Sequence, residues 1–316
     1  MKKWILTAAV LIAAGAAICF AAAAAMHFDY KELDSSKYET NSYPVTESFH
    51  SIFIDVSTEK ITFRLSEGGD CRVVCLEEAD RKHAVSVNDD VLTISENRRS
   101  QLSDTVGIHT VDQEITVYLP EREYAGLHIE TDTGDIAIPA DFTFGSIRIE
   151  GDTADVSCQA SAEGELAISL TTGDISIASI KAGSIDLKVT TGAVTAESVE
   201  CKGDVQIRVD TGRVKLHGMT CTNLISEGDT GDITLDSVIA ADQFSISRTT
   251  GDVKFISSDA DSIMVKTDTG DVTGSLLSDK VFVTETDTGK VTVPSSTSGG
   301  RCEISTDTGS IKIEIR

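Results

Sequence analysis

Through the C-terminal part of the chain, apolar and polar residues alternate in two short bursts that recur every 19 or 20 positions. The repeat is marked by a turn. Thr133-Gly134, Thr172-Gly173, Thr191-Gly192, Thr211-Gly212, Thr230-Gly231, Thr250-Gly251, Thr269-Gly270, Thr288-Gly289 and Thr308-Gly309 are nine copies of Thr-Gly, and Thr153-Ala154 is a tenth with Ala for Gly. Two residues after each turn stands a β-branched Ile or Val, from Ile136 to Ile311, and two further on a mostly apolar residue. Seven and five residues before the turn lies a second alternating pair, such as Leu127/Ile129 or Ile185/Leu187. An apolar period of two predicts strands with one buried face. A 20-residue unit cannot bury that face alone, whereas stacked units form ladders of like residues about 4.8 Å apart. The pattern predicts an all-β parallel β-helix, or solenoid, of about ten 19–20-residue coils, on the order of 45 Å long. Two repeats slip by one residue. Ile225 and Val281/Val283 are expected to carry the buried face there, with a bulge absorbing the slip.

The turns have readable chemistry. Gly suits a positive φ, and an Asp before the turn accepts a hydrogen bond from the backbone two residues on. Acidic residues flank most turns, two positions before the Gly or one after it. Stacked carboxylates suggest a calcium ladder, with Asp132, Asp135, Asp152 and Asp155 as one candidate cluster and Asp268, Asp271 and Asp287 as another. Against calcium, Asp-Thr-Gly-Asp is a good turn sequence by itself, and Arg213 and Lys290 interrupt the row. The calcium-binding β-roll repeat is also shorter, at nine residues.

Before the repeats, residues 51–119 contain strand-like runs without the Thr-Gly turn, among them IFIDV, ITFRL, CRVVCL, VLTIS and EITVYLP. The expected organisation is a membrane segment at 1–26, a polar stalk at 27–46, a β-rich cap at 47–125 and solenoid repeats at 126–316. The cap covers the first coil, because open strand edges invite aggregation. At the other end the apolar run Ile311, Ile313, Ile315 is expected to be the exposed last rung, blunted only by Lys312, Glu314 and Arg316.

Residues 4–26 carry no charge and follow Lys2 and Lys3. The length suits a transmembrane helix, and the basic flank places the N-terminus in the cytoplasm. A cleaved signal peptide is the alternative. Either way the rest of the chain is expected outside, with a single-pass anchor as the preferred reading. The chain has 27 basic and 51 acidic side chains, a net −24, and setting aside Lys2 and Lys3 leaves −26 for the exported part. That charge argues strongly against nucleic-acid binding, which needs a basic footprint, and against docking on anionic lipid.

The seven cysteines do not form a disulfide framework or a zinc pattern. Cys158 and Cys302 fall on core positions. Cys201 and Cys221 occupy equivalent positions in adjacent coils, and stacking brings their Cα atoms into the disulfide window, so a bridge between them is a candidate. Cys71 and Cys75 lie on one face of one strand, too far apart to join each other. The six histidines form no motif with Ser or Cys, and neither HExxH nor GxSxG occurs. The uniform repeats leave no long insertions to build catalytic walls.

FIDVSTEKITFRL, VLTISE, ITVYLP and LHIETDTGDIAI with its repeats resemble the bacterial putative-adhesin family of domains of unknown function, over roughly residues 47–316. More distantly they are similar to the head domains of auto-transporter adhesins. The resemblance implies a β-solenoid on the outer face of a bacterial membrane, with no catalytic or ligand motif to carry over. The expectation is a non-enzymatic surface protein with no cofactor, acting in adhesion or envelope stress response on an envelope protein or glycan. A calcium-binding surface protein and a polysaccharide-active β-helix enzyme are the alternatives.

Overall fold

The computed structural model describes residues 37–96 and 113–316, together with positions 12, 14 and 15. The expected membrane segment therefore lies almost wholly outside the described residues, and among these no helix is long and apolar enough to cross a membrane.

The repeats stack as parallel coils, each closing on the next through in-register strands. Thr133, Thr153, Thr172, Thr191, Thr211, Thr230, Thr250 and Thr269 pair successively along one column. The residues after the turn stack likewise, Ile136 on Val156, Ile175 and Val194. At every turn but that of the outermost coil, the N–H of the Gly or Ala donates to the Thr carbonyl of the neighbouring coil, as in Gly173 N to Thr191 O at 3.0 Å. The glycine is required by space as well as by conformation. Gly173 has φ +127°, and a Cβ there would lie 2.0 Å from the Ala154 carbonyl oxygen.

The last two coils exchange places. The strand Ser262–Thr269 pairs with Gly300–Thr308, and Lys280–Thr288 pairs with the far side of Gly300–Thr308. Thr308 consequently lies between Thr269 and Thr288 in the column. The C-terminal run is not the exposed last rung: Ile311 and Ile313 are buried between the strands Val272–Leu276 and Val291–Thr292. The outer rung is residues 280–292, where Val281, Val283 and Val291 are exposed. Its Lys280 reaches inward to an ion pair with Asp259 at 2.8 Å.

The N-terminal end is built the same way. β1 (Tyr38–Val45), β2 (Ser51–Val56), β3 (Lys60–Leu65), β4 (Cys71–Glu78), β5 (His83–Asn88), β6 (Val91–Glu96) and β7 (Glu114–Leu119) precede β8 (Glu123–Thr133) and β9 (Ile136–Ile138). β2 lies between β6 and β8, and β3 between β7 and β9, all parallel. The β2–β3 segment is thus a further coil of the solenoid, and the β6 and β7 strands stack outside it. Antiparallel strands finish the edge, β4 on β7, β1 on β4 and β5 on β6. Residues 38–45, expected in the stalk, are instead strand β1, and β8 runs through the boundary expected at 125.

The core is continuous. The register at the two slipped repeats follows the threonine column and not the nearest apolar residue: Leu224 and Ser226 face inward, while Ile225 is only half-buried. Backbone pairing fixes the phase of a strand, and a one-residue slip would turn every side chain over. In the outer coil the same rule leaves Val281 and Val283 facing out. Arg248 enters the core opposite Ser226, where its Nη2 donates to Ser226 Oγ at 2.9 Å. Its Nε and Nη1 have no partner among the described residues, and burial lowers its pKa to about 10.

Candidate functional site

Two places combine polar side chains in a way the fold alone does not require. The first is the turn edge of the rod. The aspartates that follow the turns are held by the next coil: Asp155 accepts from Asp174 N at 2.7 Å, Asp174 from Ala193 N at 2.7 Å, and Asp271 from Ser310 N at 2.7 Å. Asp135 does the same for Asp155 N at 3.3 Å. These carboxylates act as hydrogen-bonded spacers between coils. Asp132, Asp152, Asp268 and Asp287, two residues before the Gly or Ala of their turns, point to solvent. None of the seven calcium candidates joins a group of ligand-donating atoms among the described residues. In the C-terminal set the inserted coil separates Asp287 from Asp268 and Asp271.

Beside the turns runs an open groove of about 510 Å³ whose lining includes Asp55, Glu130, Asp132, Glu150, Asp152 and Lys188. The carboxylates come from three successive coils, Asp55, then Glu130 with Asp132, then Glu150 with Asp152, and Ser169 and Lys188 take the place of Glu150 in the next two. Arg148 pairs with Glu150 at its margin.

The second place is buried in the N-terminal cap. Glu59 falls at the position that Gly134 occupies in the next coil: β2 and β3 align Val56 with Thr131 and Ile61 with Ile136, and Gly134 packs against the Glu59 backbone. Its side chain turns into the cap. From β4 come Cys75 and Glu77, two apart and so on one face, and from the start of β5 comes His83. Cys75, Glu59 and Glu77 are fully buried and His83 is 5% exposed.

His83 sits between the two carboxylates, with Nδ1 2.6 Å from Glu77 Oε2 and Nε2 2.9 Å from Glu59 Oε1. Each carboxylate is oriented in turn. Glu77 Oε2 also accepts from His83 N at 2.7 Å, and its Oε1 accepts from Tyr43 OH at 2.5 Å and Asn41 Nδ2 at 2.7 Å. Glu59 Oε2 accepts from Thr58 N at 2.8 Å. Ligand-donating atoms of Cys75, Glu77 and His83 lie within 4.8 Å of one another.

Burial alone would lower the His83 pKa, but Cys75, Glu59 and Glu77 outweigh it and raise it to about 11. Burial opposes ionisation of Glu59 and Glu77 as well, yet hydrogen bonds, from His83 above all, hold both below the usual carboxylate range. Burial pushes the Cys75 thiol up. The group is therefore a neutral thiol beside an imidazolium clasped by two carboxylates.

Sequence reasoning paired none of these residues. His83 belongs to no motif, and only the fold brings it to Cys75. The available signal was the β4 alternation, which puts Cys75 and Glu77 on one face, and a Glu where the aligned coil needs Gly. The candidate disulfide pair, Cys201 and Cys221, are buried free thiols in this structure, and Cys201 Sγ points to the Gly183 and Asp204 carbonyls at 3.7 and 3.6 Å. Cys158 and Cys302 lie in the core, as their positions implied.

Stacked parallel coils with one repeating turn define a β-solenoid protein. The family model described as Toastrack DUF4097 matches residues 49–208 and 199–316, and the chain belongs to that family. Solved structures are similar to it at low identity. A putative adhesin from Parabacteroides merdae ATCC 43184 is 11% identical with a TM-score of 0.49, covering 78% of this chain and 98% of its own. A putative adhesin from Parabacteroides distasonis ATCC 8503 is 13% identical with a TM-score of 0.45, covering 86% and 98%. A putative adhesin from Bacteroides fragilis NCTC 9343 is 16% identical with a TM-score of 0.44, covering 89% and 98%. No curated relative matches the chain.

Proposed function

We propose that this protein is a non-enzymatic, adhesin-like rod of the bacterial cell envelope, anchored by its N-terminal apolar segment and carrying the solenoid outside. The observation that carries the reading is the acidic groove along the turn edge. It gathers carboxylates from three adjacent coils, so it offers a local patch of negative charge at the coil spacing to a partner. A surface of this sign attracts a cationic protein or an amine-bearing envelope glycan and repels nucleic acid and anionic lipid. The net charge of −24 gives long-range attraction of the same sense. The groove is walled by strand ends, and no histidine or cysteine lines it, which favours binding over catalysis.

The test is attachment of the purified exported part, residues 37–316, to cells and isolated envelopes. Binding is expected to weaken as salt rises, and Asp132→Lys with Asp152→Lys is expected to reduce it at least tenfold while the melting temperature is retained. Attachment that is insensitive to both changes would sink the groove as the binding surface. Protease digestion of whole cells checks the location: the solenoid should be cut or shed from outside.

A further inference from the structure

The buried group in the cap has the donor set of a metal site. We propose that Cys75 Sγ, Glu77 Oε2 and His83 Nδ1 bind one divalent ion of the zinc class, with Glu59 holding the ring from its other side.

The donors suit that ion by type. Thiolate, imidazole and carboxylate together are the ligands of zinc, whereas calcium and magnesium take oxygen alone. Geometry suits it as well. Zinc bonds of roughly 2.0–2.3 Å put tetrahedral donors about 3.3–3.8 Å apart, so atoms already within 4.8 Å need shifts on the order of 1 Å. The surroundings are arranged as they are around metal-bound histidines. A ligating imidazole characteristically donates its second N–H to a carboxylate, which fixes the ring and its tautomer. Here Nε2 faces Glu59 Oε1 at 2.9 Å, and Glu59 is itself fixed by Thr58 N. The Glu77 carboxylate is steered by Tyr43 and Asn41 through the oxygen that does not face Nδ1.

Charge balances without rearrangement. In the metal-free state two carboxylates, one imidazolium and one thiol sum to −1. A divalent ion replaces two protons, one from Cys75 Sγ and one from His83 Nδ1, and the sum stays −1. Both protons leave to solvent and no electron is transferred. The ion would join β4 to β5, and Glu59 would tie both to the first turn of the rod.

Cobalt(II) reports the site directly, because a thiolate ligand gives it a charge-transfer absorption band. Metal-free full-length protein, kept reduced, is titrated with Co²⁺ alone and then with Zn²⁺. The expected result is one equivalent bound, a thiolate band that Zn²⁺ abolishes, and a melting temperature raised by Zn²⁺. Cys75→Ser should lose the band and Cys158→Ser should keep it. Glu59→Gln should keep the band and weaken binding roughly 10–100-fold. No band and no thermal shift in the wild-type chain overturns the proposal, as does a band that survives in Cys75→Ser. Should Cys75→Ser fail to fold, X-ray absorption of zinc in the wild-type protein decides. One sulfur with nitrogen and oxygen neighbours supports the site, and an all-oxygen or multi-sulfur shell refutes it.

Discussion

Glu59 Oε1 lies 2.9 Å from His83 Nε2, and through that contact the first turn of the solenoid is bound to the cap that closes it. Both residues are buried, and the same imidazole meets Glu77 on its other side. Removing the cation from between two buried carboxylates leaves charge that the remaining donors, Tyr43, Asn41 and Thr58 N, only partly offset. His83→Ala should destabilise the protein by about 3–5 kcal/mol, measured by urea unfolding with chelator present. Neutralising both carboxylates in the same background should recover part of the loss, a coupling that a thermodynamic cycle would expose.

The turn glycines are tested at Gly173. Its φ and the 2.0 Å approach of the Ala154 carbonyl to a built Cβ leave no room for a side chain. Gly173→Val should cost at least about 2 kcal/mol. Gly68, where a Cβ meets only Asp70 Oδ2 at 3.6 Å, is the control, and Gly68→Ala should change stability by less than about 0.5 kcal/mol.

The exchange of the last two coils makes a sharp prediction. A chain ended at Gly299 lacks Gly300–Thr308, the strand on which Lys280–Thr288 rests. Hydrogen-exchange protection across 280–292 should vanish in that variant. Protection kept at the level of the intact chain would mean that 280–292 does not depend on Gly300–Thr308 for its seat.

Arg248 is a buried guanidinium with one hydrogen bond and two nitrogens unpartnered among the described residues. Replacing it removes an uncompensated cost. Arg248→Met should be neutral or stabilising by about 1–3 kcal/mol, seen as an unchanged or raised urea midpoint. A clear loss of stability would show that the guanidinium has a partner beyond those described.

Burial raises Cys158, Cys221 and Cys302 to a pKa of about 12. A thiol with so high a pKa is almost wholly protonated at pH 8, so alkylation of the native protein should leave all three unmodified. Denaturation without reductant should make them reactive at once, together with Cys201. If Cys201 and Cys221 stayed blocked until reduction, a bridge would be present.

The solenoid was legible because its cause is periodic. Thr-Gly spacing and the β-branched residue after each turn are local signals, and the structure stacks them as the period implied. The order of the last two coils was not legible, because residues 280–292 and 300–316 carry the same turn and the same alternation. The local pattern does not say which of the two follows Ser262–Thr269, and only packing selects between them. The slipped repeats misled for a related reason: hydrophobicity pointed to Ile225, while backbone register chose Leu224 and Ser226. The cap cluster was hidden because its members come from β3's approach, β4 and β5, and short-range spacing says nothing about which antiparallel strands will meet.

Placing the final residues inside the stack has a consequence for how the molecule is made. A ribosome delivers 280–292 before 300–316, so the outermost coil emerges while its seat does not yet exist. It has no partner in its final place until Gly300–Thr308 has been made. The outer coil is thereby the last to be seated although it is not the last to be made, and a protein cut short before Gly300–Thr308 would leave an unseated apolar segment for quality-control proteases to find.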